Sequence, residues 1–299
     1  MPDLFPGFAV HDIETGGARV HARSGGSGDP VLLLHGYPQT HAIWHRVAPR
    51  LAGAFTVVAA DLRGYGDSGK PPSAPDHAPY SKRAMAQDLV EAMERLGFRS
   101  FHLVGHDRGG RVAHRLALDH PDRVRTLTVL DIAPTRHMYG RTDFAFARAY
   151  YHWFFLIQPE PLPERLIGAD PDFFLRTKIG SGAAGLAPFD EAAMAEYLRC
   201  FRDPATIHAS CEDYRASAGI DLAHDEADLE RKVAAPILAL WGARGVVHRC
   251  FDVLGAWRER AASVEGGPLA CGHYIAEEAP DALLAQLLPH LSCASRTPP

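Results

Sequence analysis

The sequence predicts an α/β fold, a mostly parallel sheet flanked by helices and interrupted by a helical cap. Three observations carry that prediction. Short apolar runs at 30–36 (PVLLLHG), 55–64 (FTVVAADLRG), 101–106 (FHLVGH), 126–134 (TLTVLDIAP) and 235–242 (APILALWG) have the length and turn-residue borders of buried strands. Helical patterns at 80–97 and 111–124 separate several of them, and strands alternating with helices imply parallel pairing with right-handed crossovers. The alternation then breaks after Pro134 and resumes only at 235. The expected division is a core of 1–136 and 223–299 with a helical cap at 137–222. Such a cap would close over the C-terminal edge of the sheet, where open α/β sheets bind ligands.

Taken in order, the elements carry their own signals. The first strong strand ends in His35-Gly36-Tyr37-Pro38, a sharp turn that leaves the Tyr37 backbone N–H free to donate. Gly64-Tyr65-Gly66, after the second, superficially suggests phosphate binding but lacks the G-x-x-x-x-G-K spacing. The third runs into Gly105-His106-Asp107-Arg108-Gly109 and then a helix. This is the layout of the G-x-S-x-G elbow, with aspartate where serine would stand. Glycine on both sides is what a close-packed turn requires, and a simple helix cap does not. The fourth ends at Asp131, a charge that is costly at a strand end unless paired or solvated. The segment 137–222 is rich in aromatics, proline and helical patterns, including YYHWFF and DEAAMAEYLRCF. Near the C-terminus, His273 in CGHYIAEEAPDAL precedes the last amphipathic helix, and the tail SCASRTPP is expected to be disordered.

Composition narrows the function classes. Hydrophobic residues make up 46% and charged residues 22% of 299, the balance of an ordinary globular protein. A net charge of -5 argues against nucleic acid as a partner, since phosphate binding shows as a basic surface. Five scattered cysteines, Cys200, Cys211, Cys250, Cys271 and Cys293, suggest reduced thiols in a cytoplasmic protein. Neither a signal peptide nor an apolar run of the ~20 residues that a membrane helix needs is evident. No metal-ligand spacing or nucleotide loop appears, so no metal or cofactor is expected, and the partner is a small molecule.

The chemistry follows from Asp107. A carboxylate nucleophile displaces a leaving group from an alkyl carbon and forms an ester, which an activated water then hydrolyses. A serine cannot run that cycle, so Asp107 points to cleavage of C–halogen or epoxide C–O bonds. The Tyr37 and Arg108 N–H groups are placed to form an oxyanion hole. Asp131 and His273 supply an acid and a base. Arg108 and Arg111 lie three apart on the first turn of the helix, share a face, and can fork onto a substrate carboxylate. Cations at a helix N-terminus oppose its dipole, a cost that binding an anionic substrate would explain.

The chain resembles the haloacetate (fluoroacetate) dehalogenases of the α/β-hydrolase superfamily. The likeness runs through LLLHGYPQTHAIWHRVAP, ADLRGYGDS, LVGHDRGGRVAHRLALDHP, VLDIAPT, YYHWFFL, CEDYRA and CGHYIAEEAPD, which span nearly the whole length. The order nucleophile, acid, histidine is also that of α/β hydrolases. The resemblance implies attack by Asp107 on the halogen-bearing carbon of a 2-haloacetate, giving glycolate and halide. It further implies water activation by His273, oriented by Asp131, a carboxylate clamp of Arg108 and Arg111, and halide donors in His152 and the Trp153 indole. A third halide donor, a tyrosine five residues after that of DYRA, is expected where this chain has Gly219, and an entrance tryptophan is expected near Ser181. Those departures widen the expected substrates from fluoroacetate to chloro- and bromoacetate and to bulkier 2-haloacids. A homodimer would be in keeping with analogy at the level of the fold, but the sequence does not reveal the oligomeric state.

Two rivals share the aspartate elbow. An epoxide hydrolase would need acidic cap hydroxyls, for which Tyr139, Tyr150, Tyr151, Tyr197 and Tyr214 are candidates. A haloalkane dehalogenase gains nothing from Arg108 and Arg111. A non-enzymatic receptor on the same fold predicts a broken triad, whereas Asp107, Asp131 and His273 are all present.

Overall fold

A computed structural model describes residues 3–294. Eight strands form one sheet: β1 (Ala9–Ile13), β2 (Val20–Gly26), β3 (Asp29–Leu34), β4 (Phe55–Ala60), β5 (Phe101–His106), β6 (Val124–Leu130), β7 (Ile237–Gly242) and β8 (Val264–Leu269). Their spatial order is β1-β2-β4-β3-β5-β6-β7-β8. The first two pairings, β1 with β2 and β2 with β4, are antiparallel, and the other five are parallel.

The five apolar runs became the inner strands because both faces of each are covered, which leaves no polar face to interrupt the run. Leu32 and Leu34 of β3 belong to one apolar layer, and Val31 and Leu33 to the other. The first layer includes the helix Lys82–Arg95 and the elbow helix Arg108–Asp119; the second includes Leu283, Leu284, Leu287 and Leu291 of the C-terminal helix Pro280–Ala294. The three unforeseen strands, β1, β2 and β8, lie at the two ends of the sheet. β1 and β8 are largely exposed, and β8 reads VEGGPL, so neither has a hydrophobic run to announce it.

Between β6 and β7 the described chain is helical, from Thr135–Gly140 through Tyr151–Leu156, Pro171–Gly180, Glu191–Phe201 and Pro204–Ala218 to Ile220–Ala227. The register of the inner strands sets up the site. Leu34 pairs with Gly105, His106 with Leu130, and Leu130 with Leu240. The residues that follow β3, β5 and β6, His35 to Tyr37, Asp107 and Asp131, therefore emerge beside Gly242, the last residue of β7, at one edge.

The tail needs a correction. Residues 292–294 continue the last helix instead of being disordered, and 295–299 lie outside the described residues. No helix is long and apolar enough to cross a membrane among the described residues.

Candidate active site

Asp107 sits at φ 48°, ψ -115°, a backbone conformation that costs a non-glycine residue strain and is held only by its surroundings. Those surroundings are tight. A Cβ on Gly105 would come within 2.5 Å of the Gly109 carbonyl oxygen, and one on Gly36 within 2.4 Å of the Asp107 Cβ. Both glycines are therefore demanded by close approach. The Tyr37 N–H donates to Asp107 Oδ1 at 3.0 Å. Burial alone would raise the Asp107 carboxyl, but the imidazoles of His273 and His106 and the guanidiniums of Arg111 and Arg108 outweigh it and hold the group at about 2. The carboxylate is thus ionised at neutral pH.

Asp131, one residue beyond β6, also has a positive φ of 52°. Its Oδ1 accepts from the Gly242 N–H at 2.9 Å, and its Oδ2 pairs with His273 Nδ1 at 2.6 Å. That bond fixes Nδ1–H toward Asp131 and leaves Nε2 as the ring's basic nitrogen. His106 braces the same loop by donating from Nε2 to the His273 carbonyl oxygen at 2.9 Å.

The helical segment contributes a second layer of groups. His152 stacks on Tyr37 with ring centroids 6.2 Å apart, and Tyr214 lies edge-on to Tyr37 at 5.3 Å. Trp153 meets Tyr214 at 6.4 Å. Arg108 lies over the Tyr214 ring at 4.1 Å and Arg111 over the Trp153 ring at 4.6 Å. Six buried polar atoms in this cluster have no partner: Tyr37 Oη, Arg108 Nη1, Arg111 Nε, His152 Nδ1, Trp153 Nε1 and Tyr214 Oη. Burial, with Lys178 and His273 nearby, pushes His152 well below its usual range, so it is neutral. Burial raises the Tyr214 hydroxyl well above its own, which keeps its proton in place.

Two expectations change here. Arg108 does not present an open fork. Its Nε and Nη2 donate to Asp213 at 2.9 and 2.6 Å, and Nη2 also meets Ser217 Oγ. Asp213 is itself held by Lys82 and by the Tyr65 hydroxyl at 2.6 Å, a buried network in which every charge has a partner. Arg108 therefore has a single edge left. Arg111 is bonded to Thr135 Oγ1 at 2.9 Å and keeps Nε. The second change concerns Gly219. It ends the helix Pro204–Ala218 and lines a different hollow, with Ser73, His77 and Glu160, and is not among the residues lining the cavity at Asp107. Tyr214, in DYRA itself, occupies the place beside His152 and Trp153. Its helical neighbours Glu212, Asp213 and Arg215 are all buried, but only their tertiary partners, more than a hundred residues away for Asp213 and Arg108, reveal why.

Tyr37, Asp107, His152 and His273 line one cavity of about 450 Å³, together with Tyr150, Lys178, Ser181 and Arg244. Asp131, Arg108, Arg111, Trp153 and Tyr214 stand behind that lining. A larger groove of about 710 Å³, between Pro134 and Arg260, is lined by Tyr139, one of the candidate cap hydroxyls, but by none of Asp107, Arg108, Arg111, Asp131, His152, Trp153 or His273. Tyr197 of the helical segment reaches the core by donating to Glu277, four residues past His273. Burial drives the Glu277 carboxyl up to about 8 despite the Tyr197 bond and Arg46. Two clusters bring metal-ligand atoms within 4.8 Å of each other, His21–His41–Asp61 and Asp67–Glu196–Cys200. Asp61 already accepts from the His41 and Asp67 N–H groups, and Arg199 is paired with Asp67 and Glu196, so neither cluster calls for a cation.

An aspartate on a strained elbow, backed by a histidine and a second carboxylate at the edge of a parallel sheet, defines a class. A model of the alpha/beta hydrolase fold matches residues 29–278. A fluoroacetate dehalogenase from Burkholderia sp is 51% identical over 279 residues, 93% of this chain and 92% of its own. A soluble epoxide hydrolase from Corynebacterium sp. (strain C12) is 36% identical, covering 90% and 92%. A solved chain from Nostoc sp PCC 7120, described as an α/β hydrolase, superposes with a TM-score of 0.92 at 57% identity, covering 94% of this chain and 98% of that one. The chain belongs to the haloacetate dehalogenase family of the α/β-hydrolase superfamily and is a hydrolase.

Proposed function

We propose that this enzyme hydrolyses the carbon–halogen bond of 2-haloacetates through an ester on Asp107. The observation that carries the reading is the set of unpartnered buried polar atoms around the carboxylate. A buried donor without a partner costs about 1–3 kcal/mol, more if charged, and a bound anion removes that cost. Arg108 Nη1 and Arg111 Nε suit a carboxylate, whereas His152, Trp153 and Tyr214 suit a departing halide. The 51% identical fluoroacetate dehalogenase supports the same assignment.

In the first step an Asp107 oxygen attacks the halogen-bearing carbon, the C–O bond forms, and the halide leaves with the bonding pair. Depression of the Asp107 pKa keeps the attacking oxygen ionised. In the second step His273 Nε2 takes a proton from water, and the hydroxide adds to the Asp107 carboxyl carbon. The Tyr37 N–H, already on Oδ1, stabilises the oxyanion. Collapse breaks the bond from the carboxyl carbon to the attacking oxygen, which leaves on the product and takes up a proton from the His273 imidazolium. A 2-hydroxyacid is released, the carboxylate is regenerated with loss of its hydroxyl proton to solvent, and the attacking oxygen is replaced by one from water. Asp131 holds the imidazole in the productive tautomer.

Epoxide hydrolysis is the second reading. It draws on the unpartnered hydroxyls of Tyr37, Tyr214 and Tyr274 and on the 36% identical relative. An apolar haloalkane would leave the two guanidinium edges unsatisfied, which disfavours that third option. The test is halide release from fluoroacetate, chloroacetate and bromoacetate beside diol formation from styrene oxide. Halide from the haloacetates and no diol supports the proposal. Diol without halide replaces it with the epoxide reading.

A further inference from the structure

A haloacetate offers one carboxylate and one halogen, and the buried donors behind Asp107 serve both. Charge remains beyond them. Among the described residues lining the 450 Å³ cavity, Asp107 is the one acid, while Arg148, Lys178, Arg244 and Arg249 are basic. The three arginines are exposed and Lys178 is half-buried. None of the four forms an ion pair among the described residues; Arg249 donates only to the Arg244 carbonyl oxygen, at 3.1 Å. This excess of cations stands in a chain whose net charge is -5. It is therefore a local arrangement and not a property of the whole surface. Lys178 lies deepest. Burial lowers its ammonium to about 8, and Asp107 is the charge that opposes the shift. The cavity is also within the roughly 300–1,000 Å³ that accommodates drug-sized ligands, more room than a haloacetate fills. Space without a cation would suit a hydrocarbon tail, and cations without space would suit steering alone. Both are present.

Building on the haloacid reading above, we propose that the outer cavity is a second anion subsite and that the enzyme takes 2-haloacids bearing a further anionic group at their far end. Lys178 is the central contact of that subsite, and Arg148, Arg244 and Arg249 surround it. The chemistry at Asp107 is unchanged. With 2-chlorosuccinate, water replaces chloride at C2, giving the 2-hydroxydicarboxylate, chloride and a proton.

The test compares kcat/KM for chloroacetate, 2-chlorosuccinate and 2-chlorobutanoate, the last similar in bulk but with a single charge. The wild type is expected to favour 2-chlorosuccinate over 2-chlorobutanoate. Lys178→Met should lose roughly 10-fold more on the dianion than on the monoanion, the scale of one charged hydrogen bond, and Lys178→Arg should restore part of it. Salt at several hundred millimolar should erode the dianion preference as well. Equal rates on the two longer substrates, or an equal loss on both in Lys178→Met, would overturn the subsite while leaving haloacetate turnover standing. Absence of halide from every haloacid would overturn the haloacid reading and the subsite with it.

Discussion

The site has two halves built on different principles. Asp107, Asp131, His273 and the Tyr37 N–H come from the sheet edge, where β3, β5, β6 and β7 end in register. The two aspartates are fixed by strained φ values and by hydrogen bonds from the Tyr37 and Gly242 N–H groups, and His273 is held by Asp131 and His106. His152, Trp153 and Tyr214 come from helices of the segment between β6 and β7, and they are fixed by ring packing against one another and against the arginines. The first half is tied together by hydrogen bonds, and the second holds buried polar atoms that lack partners. A framework that makes and breaks covalent bonds needs rigidity, whereas an anion pocket needs unmet hydrogen-bonding capacity. The contrast suggests that damage at the edge stops chemistry and damage in the pocket weakens it.

The largest effect expected of any change tests that division. Asp107→Asn should reduce halide release by about 10⁴-fold or more, the scale of losing a nucleophile. His273→Gln should behave differently, releasing one halide per enzyme and then stalling as an ester that mass spectrometry detects on the peptide containing Asp107. Steady turnover in either variant would break the edge half of the comparison.

Asp213→Asn comes next, because it strips the partner from buried Arg108 and Lys82. Breaking such a network costs about 3–5 kcal/mol, to be read as a lower urea midpoint. A shift under 1 kcal/mol would mean that the network does not join the halves. Tyr214→Phe should fold normally and lower kcat by about 10- to 150-fold, more for fluoride than for bromide, with KM little altered. An unchanged fluoride-to-bromide ratio would remove Tyr214 from the halide site.

The smallest effect concerns the Tyr197–Glu277 contact between the halves. Glu277 has a folded pKa of about 8, above its unfolded value, so the folded state holds an extra proton between the two. Stability should therefore fall as pH rises from about 4.5 to 8, and Glu277→Gln should flatten that decline in urea titrations. Asp107 has the opposite sign. Its folded pKa of about 2 contributes stability above the unfolded carboxylate range, which is lost as pH falls from about 4 toward 2.

The inner strands, the helical segment and the elbow were legible because each is written in neighbouring residues: apolar runs, a break in alternation, glycines flanking an aspartate. His273 and Asp131 were legible from their places after strands. The edge strands were not, since a half-exposed strand such as VEGGPL carries no hydrophobic signal. The resemblance placed a tyrosine halide donor where this chain has Gly219, whereas the donor cluster formed around Tyr214, on the face of its helix turned toward Tyr37.

By itself, then, the sequence determined the aspartate elbow and the places of Asp131 and His273 after their strands, because each is written in the few residues around it. Only the tertiary structure decided which arginine edges remain open, which tyrosine joins His152 and Trp153, and which cations face the cavity. Those outcomes depend on side chains far apart in the chain, 105 residues for Arg108 and Asp213, meeting in a low-dielectric interior. There a charge must find a partner, and the group left without one is what a ligand can satisfy.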